Sequence, residues 1–71
     1  MREDVRDFYG RSLGYLERKP NGDVVAHDFQ GRILGSYDKS LNATKDFYGK
    51  IVASGDMTGG LILAASARRD R

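Results

Sequence analysis

One eight-residue pattern returns along this chain and limits what it can fold into. Asp7-Phe8-Tyr9-Gly10-Arg11-Ser12-Leu13-Gly14 recurs as Asp28-Phe29-Gln30-Gly31-Arg32-Ile33-Leu34-Gly35, and again as Asp46-Phe47-Tyr48-Gly49-Lys50-Ile51-Val52-Ala53. A looser fourth copy reads Asp56-Met57-Thr58-Gly59-Gly60-Leu61-Ile62-Leu63. The consensus is an aspartate, a large apolar residue, a variable residue, a glycine, a base and then two apolar residues. Self-similarity of this kind marks a fold assembled from one supersecondary unit used repeatedly.

The chemistry of the unit identifies it as a hairpin turn. An aspartate opening a type I turn can bond backbone N–H groups two residues on, and a glycine in fourth place accepts the positive φ that follows. That combination is a common bulged hairpin connection. Asp7/Gly10, Asp28/Gly31, Asp46/Gly49 and Asp56/Gly59 are therefore read as structural turns. In this geometry each aspartate faces the residue after its glycine, giving the pairs Asp7–Arg11, Asp28–Arg32 and Asp46–Lys50. The fourth unit has Gly60 in the base's place and loses the pair.

Strand-forming segments lie between the turns, at 13–18, 24–27, 33–37, 50–53 and 61–64. Lys19-Pro20-Asn21-Gly22 is a further turn, with Pro20 setting one dihedral and Asn21-Gly22 expected to take positive ones. A looser loop runs from Asp38 to Asn42, and only Ser54-Gly55 separates the third and fourth units. Gly14 and Gly35 fall inside strands, where glycine marks a bend or a close approach of other backbone. The expected fold class is all-β: four antiparallel β-hairpin repeats with internal pseudo-symmetry, closed as a flower or a small barrel. The domain is expected over 1–67, with a flexible basic tail at 68–71.

Composition narrows the function. At 71 residues there is room for one domain only. A chain this short buries about 60 % of its unfolded surface, so strand packing or association with other copies must supply its stability. There is no cysteine and one histidine, His27. A cysteine-built metal centre is excluded, and no metal or cofactor is expected. No Gly-x-Gly-x-x-Gly or Gly-Lys-Ser/Thr pattern is present to cradle a phosphate. The formal charge of +2 is small for a nucleic-acid binder of this size. No apolar stretch approaches the ~20 residues that span a bilayer, and the charged start Met1-Arg2-Glu3-Asp4 is unlike a secretory signal. A cytoplasmic setting without membrane contact is the expectation.

The tips carry an anomaly. Turn tips normally hold polar residues, but here the residue after each aspartate is Phe8, Phe29, Phe47 or Met57. Four large apolar side chains at equivalent tips require a partner surface. Either they converge on a shared axis as core, or they form an exposed ring that binds a partner or another subunit. Leu13, Leu34, Val52 and Ile62 recur at a second equivalent position.

The run of Asp-x-x-Gly hairpins, three of them written Asp-Phe-Tyr/Gln-Gly-Arg/Lys, resembles the small bacterial and phage domains called four-fold β-flowers. More distantly it resembles the Tyr-Asp repeats of bacterial toxin shells, which share the Gly-Arg after the turn. The first resemblance covers about 5–65. It implies a fold, but no activity and no catalytic residue to carry over.

Arg6, His27 and Lys45 each precede a turn aspartate and define a repeated basic position. With Arg11, Arg32 and Lys50, and with Tyr9 and Tyr48 interleaved, they form a candidate rim for an anionic ligand or single-stranded nucleic acid, by phosphate pairing and stacking. The competing reading has Asp7, Asp28 and Asp46 neutralise three of those bases. No residues make a plausible catalytic triad with His27. The expected function is a small non-catalytic interaction module that self-associates as a homo-oligomer or holds a protein partner through Phe8, Phe29, Phe47 and Met57. Anion or nucleic-acid binding on the basic rim is the first alternative. An enzyme with its site between subunits is the second.

Overall fold

The computed structural model describes residues 1–69. Six strands follow in order: β1 (Arg2–Arg6), β2 (Ser12–Arg18), β3 (Val24–Asp28), β4 (Ile33–Asp38), β5 (Ala43–Asp46) and β6 (Ile51–Ser54). Each pairs antiparallel with the next, so the sheet is an open meander in sequence order, with β1 and β6 at its edges. A single helix, α1 (Thr58–Arg69), follows β6 and packs over the middle strands β2, β3 and β4.

All five strand connections use one plan. The fourth residue donates its N–H to the first residue's carbonyl at 3.0 Å in Asp7–Gly10, Lys19–Gly22, Asp28–Gly31 and Asp46–Gly49, and at 3.2 Å in Lys39–Asn42. That fourth residue always has positive φ, from 49° at Asn42 to 97° at Gly22. The Lys19-Pro20-Asn21-Gly22 turn needs only one such residue, not the Asn-Gly pair expected. Because a meander alternates its ends, the three Asp-x-x-Gly turns lie together at one end of the sheet. The two lysine-led turns lie at the other.

The likeness of the three hairpins extends past the turns. In β2 the pairing with β1 passes from Ser12 to Gly14, leaving Leu13 as an extra residue. The same skip falls at Leu34 in β4 and at Val52 in β6. The second apolar position of the repeat is thus a β-bulge, which bends the strand and strengthens its twist.

The fourth copy departs from the expected hairpin. Its segment 56–64 starts α1, and Leu61-Ile62-Leu63-Ala64 is helical rather than a strand. The central residues of a type I turn already sit close to helical dihedrals, so the turn ends in a hairpin only if its fourth residue goes left-handed. Gly59 does not, and the Leu/Ala-rich run behind it continues the helix. Asp56 keeps a local role: its Oδ1 accepts the N–H of Thr58 at 3.1 Å and its hydroxyl at 2.6 Å. With this unit helical, the molecule is a β-rich open sheet with one helix. It shows three equivalent hairpins, and no closure into a flower or barrel. The basic tail expected at 68–71 begins inside α1, which includes 68 and 69, and 70–71 lie outside the described residues.

The core lies between α1 and the sheet. Leu13, Leu16, Val24, Ala26 and Ile62 form it, flanked by Val5, Leu34, Tyr37 and Leu61. Burying each Leu, Ile or Val side chain contributes about 1.5–3 kcal/mol. Gly14 and Gly35 make the contact with α1 possible. A Cβ at Gly14 would stand 3.1 Å from Ile62 Cγ2, and one at Gly35 would stand 2.7 Å from Leu61 Cδ1. The close backbone approach read from the sequence is that of the neighbouring strands, the His27 carbonyl at Gly14 and the Lys45 carbonyl at Gly35, and the α1 side chains seat beside it.

Candidate interaction surface at the turn end of the sheet

Each Asp-x-x-Gly turn is held by its carboxylate. Asp7 Oδ1 accepts the N–H groups of Tyr9 and Arg11, both at 2.9 Å, and Oδ2 accepts Arg11 Nε at 2.7 Å. Asp28 repeats this with Gln30 and Arg32 at 2.9 Å, and with Arg32 Nε at 2.9 Å. Asp46 keeps the two backbone bonds, from Tyr48 at 2.9 Å and Lys50 at 3.0 Å. Among the described residues, no ion pair joins Lys50 to Asp46. The expected Asp–base pairs therefore form in the first two turns and not in the third.

Burial acts to raise the Asp7 carboxyl, but the N–H and guanidinium of Arg11 and the N–H of Tyr9 outweigh it and hold the group below its ordinary range. Burial likewise raises Asp28, and Arg32 and Gln30 override it in the same way. At Asp38 the Ser40 hydroxyl leads; burial opposes it, and the N–H groups of Leu41 and Ser40 and the charge of Lys45 complete the lowering. A carboxylate depressed on folding stabilises the native state fully above its unfolded value near pH 3.9 and loses that contribution as pH falls through the folded value. The melting temperature should be flat from pH 7 to about pH 5 and fall steadily below about pH 4. Asp28→Asn should flatten that fall. An acid limb unchanged in this variant would remove Asp28 from the account.

The two paired turns differ in depth. The Asp28 side chain is 8 % exposed, against 17 % for Asp7. Losing hydrogen bonds to a buried charged group costs about 1.5–3 kcal/mol. Asp28→Ala should therefore destabilise by about 2 kcal/mol, and Asp7→Ala by clearly less, as thermal melts would show. Equal losses would mean that depth is irrelevant to these turns.

The tips are not core. Phe8 is 96 % exposed, Phe47 64 % and Phe29 47 %. Phe8 rests edge-on against Tyr9 at 5.5 Å between ring centres, and Phe47 against Tyr48 at 5.4 Å. Met57 is also exposed, but it precedes α1 at the opposite end of the sheet, so four converging tips reduce to three on one end. Phe29 and Phe47 line an open cleft of about 820 Å³ beneath the last turns of α1. The bulge residues Leu13 and Leu34 line it with Ile33, Ala65, Arg32 and Asp28. Sequence reasoning missed this cleft. The signal for it was the recurrence of Leu13 and Leu34, whose meaning depends on the bulge.

The basic rim is divided. Arg6, His27 and Lys45 lie on the sheet face away from α1, as the pairings Tyr15↔His27 and Ser36↔Lys45 place them. Arg11 and Arg32 turn toward their aspartates. On the outer face, Arg6 stands 3.9 Å from Asp4 and donates to the Gly10 carbonyl, and Lys45 stands 3.8 Å from Asp38. His27 is buried, not the surface residue expected. Its ring stacks on Tyr15 at 4.4 Å, and Arg2 covers the other side of Tyr15 at 3.9 Å. Nδ1 lies 3.2 Å from the Gly31 carbonyl, and buried Nε2 lies 3.5 Å from Glu17 Oε1 without a hydrogen bond. The stack joins β1, β2 and β3. Among the described residues no cluster of histidine and carboxylate side chains could hold a metal ion, and no helix is long and apolar enough to cross a membrane.

The sheet edges differ in character. Along β1, Arg2, Glu3, Asp4 and Arg6 are charged and exposed, joined by Arg2–Asp4 at 3.3 Å and Glu3–Arg18 at 2.8 Å. Along β6, Ile51-Val52-Ala53-Ser54 carries no charge, with Ile51 57 % and Val52 49 % exposed. Exposed apolar side chains thus stand at the Phe29 and Phe47 tips and along β6. Comparison of the chain with protein-family models, with curated proteins and with solved structures found no match.

Proposed function

We propose that this protein is a small non-catalytic interaction module that associates with further copies of itself. The observation that carries the reading is the exposure of large apolar side chains at the Phe29 and Phe47 tips, which line one cleft, and at Ile51 and Val52 of the uncharged strand β6. Exposed apolar side chains gathered on one surface mark interaction sites in soluble proteins. The opposite edge and the outer face support the choice by contrast, because their bases are matched by neighbouring carboxylates. The turn aspartates hold the tips in place and have no reactive role. The resemblance to β-flower domains is part of the same reading and rests on the three equivalent hairpins.

Sedimentation velocity over a wide concentration range tests it. The wild type should gain mass with concentration, and the gain should survive raised salt, because apolar association lacks the steep salt dependence of phosphate binding. Phe47→Ser should shift the equilibrium toward monomer while melting within a few degrees of the wild type, as exposed substitutions do. A monomer at every concentration up to the millimolar range would sink the reading.

A further inference from the structure

Resting on that reading, we infer that two copies associate end to end, with Phe8 of each seated in the Phe29–Phe47 cleft of the other. Knob and cleft lie at the same end of the sheet, because the three Asp-x-x-Gly turns do. Phe8 is the first hairpin's equivalent of Phe29 and Phe47, but it does not line the cleft that they share. It is 96 % exposed, with Tyr9 edge-on against it at 5.5 Å. The Asp7 carboxylate bonds the N–H groups of Tyr9 and Arg11 and so fixes the turn that carries Phe8. A knob held in advance loses little further freedom on docking. The cleft, about 820 Å³ and lined by Leu13, Ile33 and Leu34 beside the two phenylalanines, falls within the size range of sites that bury a small ligand. It has room for an aromatic pair such as Phe8 with Tyr9.

The exposed area matches what a stable contact needs. Besides the three phenylalanines, Tyr9 is 82 % and Tyr48 89 % exposed at this end. At ~150–250 Å² for each aromatic side chain, the five together expose about 600–900 Å². A standard interface buries about 800 Å² on each partner. Every copy carries both knob and cleft, so one two-fold contact seats both knobs and closes at the dimer. Charge offers little opposition. Arg11 and Arg32 are held by their own turn aspartates at 2.7 and 2.9 Å, and Arg6 and Lys45 stand beside Asp4 and Asp38 on the outer face. Lys50 makes no ion pair among the described residues, and salt screens the repulsion it adds.

Complementation between two variants tests the geometry. Phe8→Ser keeps the cleft and lacks the knob, whereas Phe47→Ser keeps the knob and lacks a lining residue of the cleft. Both positions are exposed, so both variants should melt within a few degrees of the wild type. Each alone should associate about tenfold more weakly in sedimentation velocity, as expected for truncating an aromatic anchor. Mixed in equal amounts, they should form a heterodimer about tenfold tighter than either homodimer, because Phe8 of one chain meets the intact cleft of the other. Wild-type assembly should stop at the dimer. Phe8→Ser dimers as tight as the wild type, a mixture no tighter than its components, or growth past the dimer would each overturn this contact while leaving self-association standing. A wild type that stays monomeric throughout would overturn both.

Discussion

Gly35→Ala should destabilise this protein by about 2–3 kcal/mol, the upper range for forcing extra atoms into a packed interior. For a domain of this size that lowers the melting temperature by roughly 10–20 °C. The added Cβ would clash with the Lys45 carbonyl oxygen and stand 2.7 Å from Leu61 Cδ1. The leucine tip can rotate, but the carbonyl belongs to β5, so either the β4–β5 pairing or the seat of α1 must shift. Gly60→Ala is the internal comparison. Position 60 is exposed in α1 with open space around its Cβ, and alanine there should stabilise by about 0.5–1 kcal/mol. Thermal melts of both variants should move in opposite directions. A neutral Gly35→Ala would mean that α1 does not sit against β4 as described.

Thr44→Val is the second large effect, expected at about 2–4 kcal/mol. Thr44 is fully buried in β5, and its hydroxyl donates to the Gly55 carbonyl at 2.7 Å and accepts the Met57 N–H at 2.9 Å. One oxygen thus joins the end of β6 to the start of α1. Valine keeps the shape and leaves two backbone groups without partners, each costing about 1–3 kcal/mol if it stays buried. Thr44→Ser retains the hydroxyl and should recover most of the loss in denaturant unfolding. A Thr44→Val variant that unfolds like the wild type would remove the hydroxyl bridge from the account.

The repeat was legible because its chemistry is local. An aspartate and a glycine three residues apart carry the whole turn, and the first three copies form it with the same bonds. The fourth was misread on the same evidence, although its spacing held the correction. Copies one to three begin 21 and 18 residues apart, room for two strands, whereas the fourth begins 10 residues after the third, room for one. In a meander that spacing places Asp56 at the opposite end of the sheet, away from the other turns. The missing base at Gly60 marked the same departure.

The candidate surface was half legible. Large apolar residues at turn tips stood out in the sequence, but their exposure did not, because a closed ring and an open sheet use the same hairpins. Bulges at Leu13, Leu34 and Val52 were visible only as recurring apolar positions, since a bulge is a relation between two strands. His27 reads as a surface base, and only the neighbours Tyr15 and Arg2 across the sheet show it as a buried stacking partner.

The sequence by itself determined the first three Asp-x-x-Gly turns and the strand-rich class, because short connections and residue-specific dihedrals act over a few residues. The tertiary structure decided the rest: that the sheet stays open, that the last unit becomes a helix across β2 to β4, and that the aromatic tips stay in water. Those outcomes depend on contacts between residues far apart in the chain, such as Gly35 with Leu61 and Thr44 with Met57. Periodicity along the sequence carries no record of them.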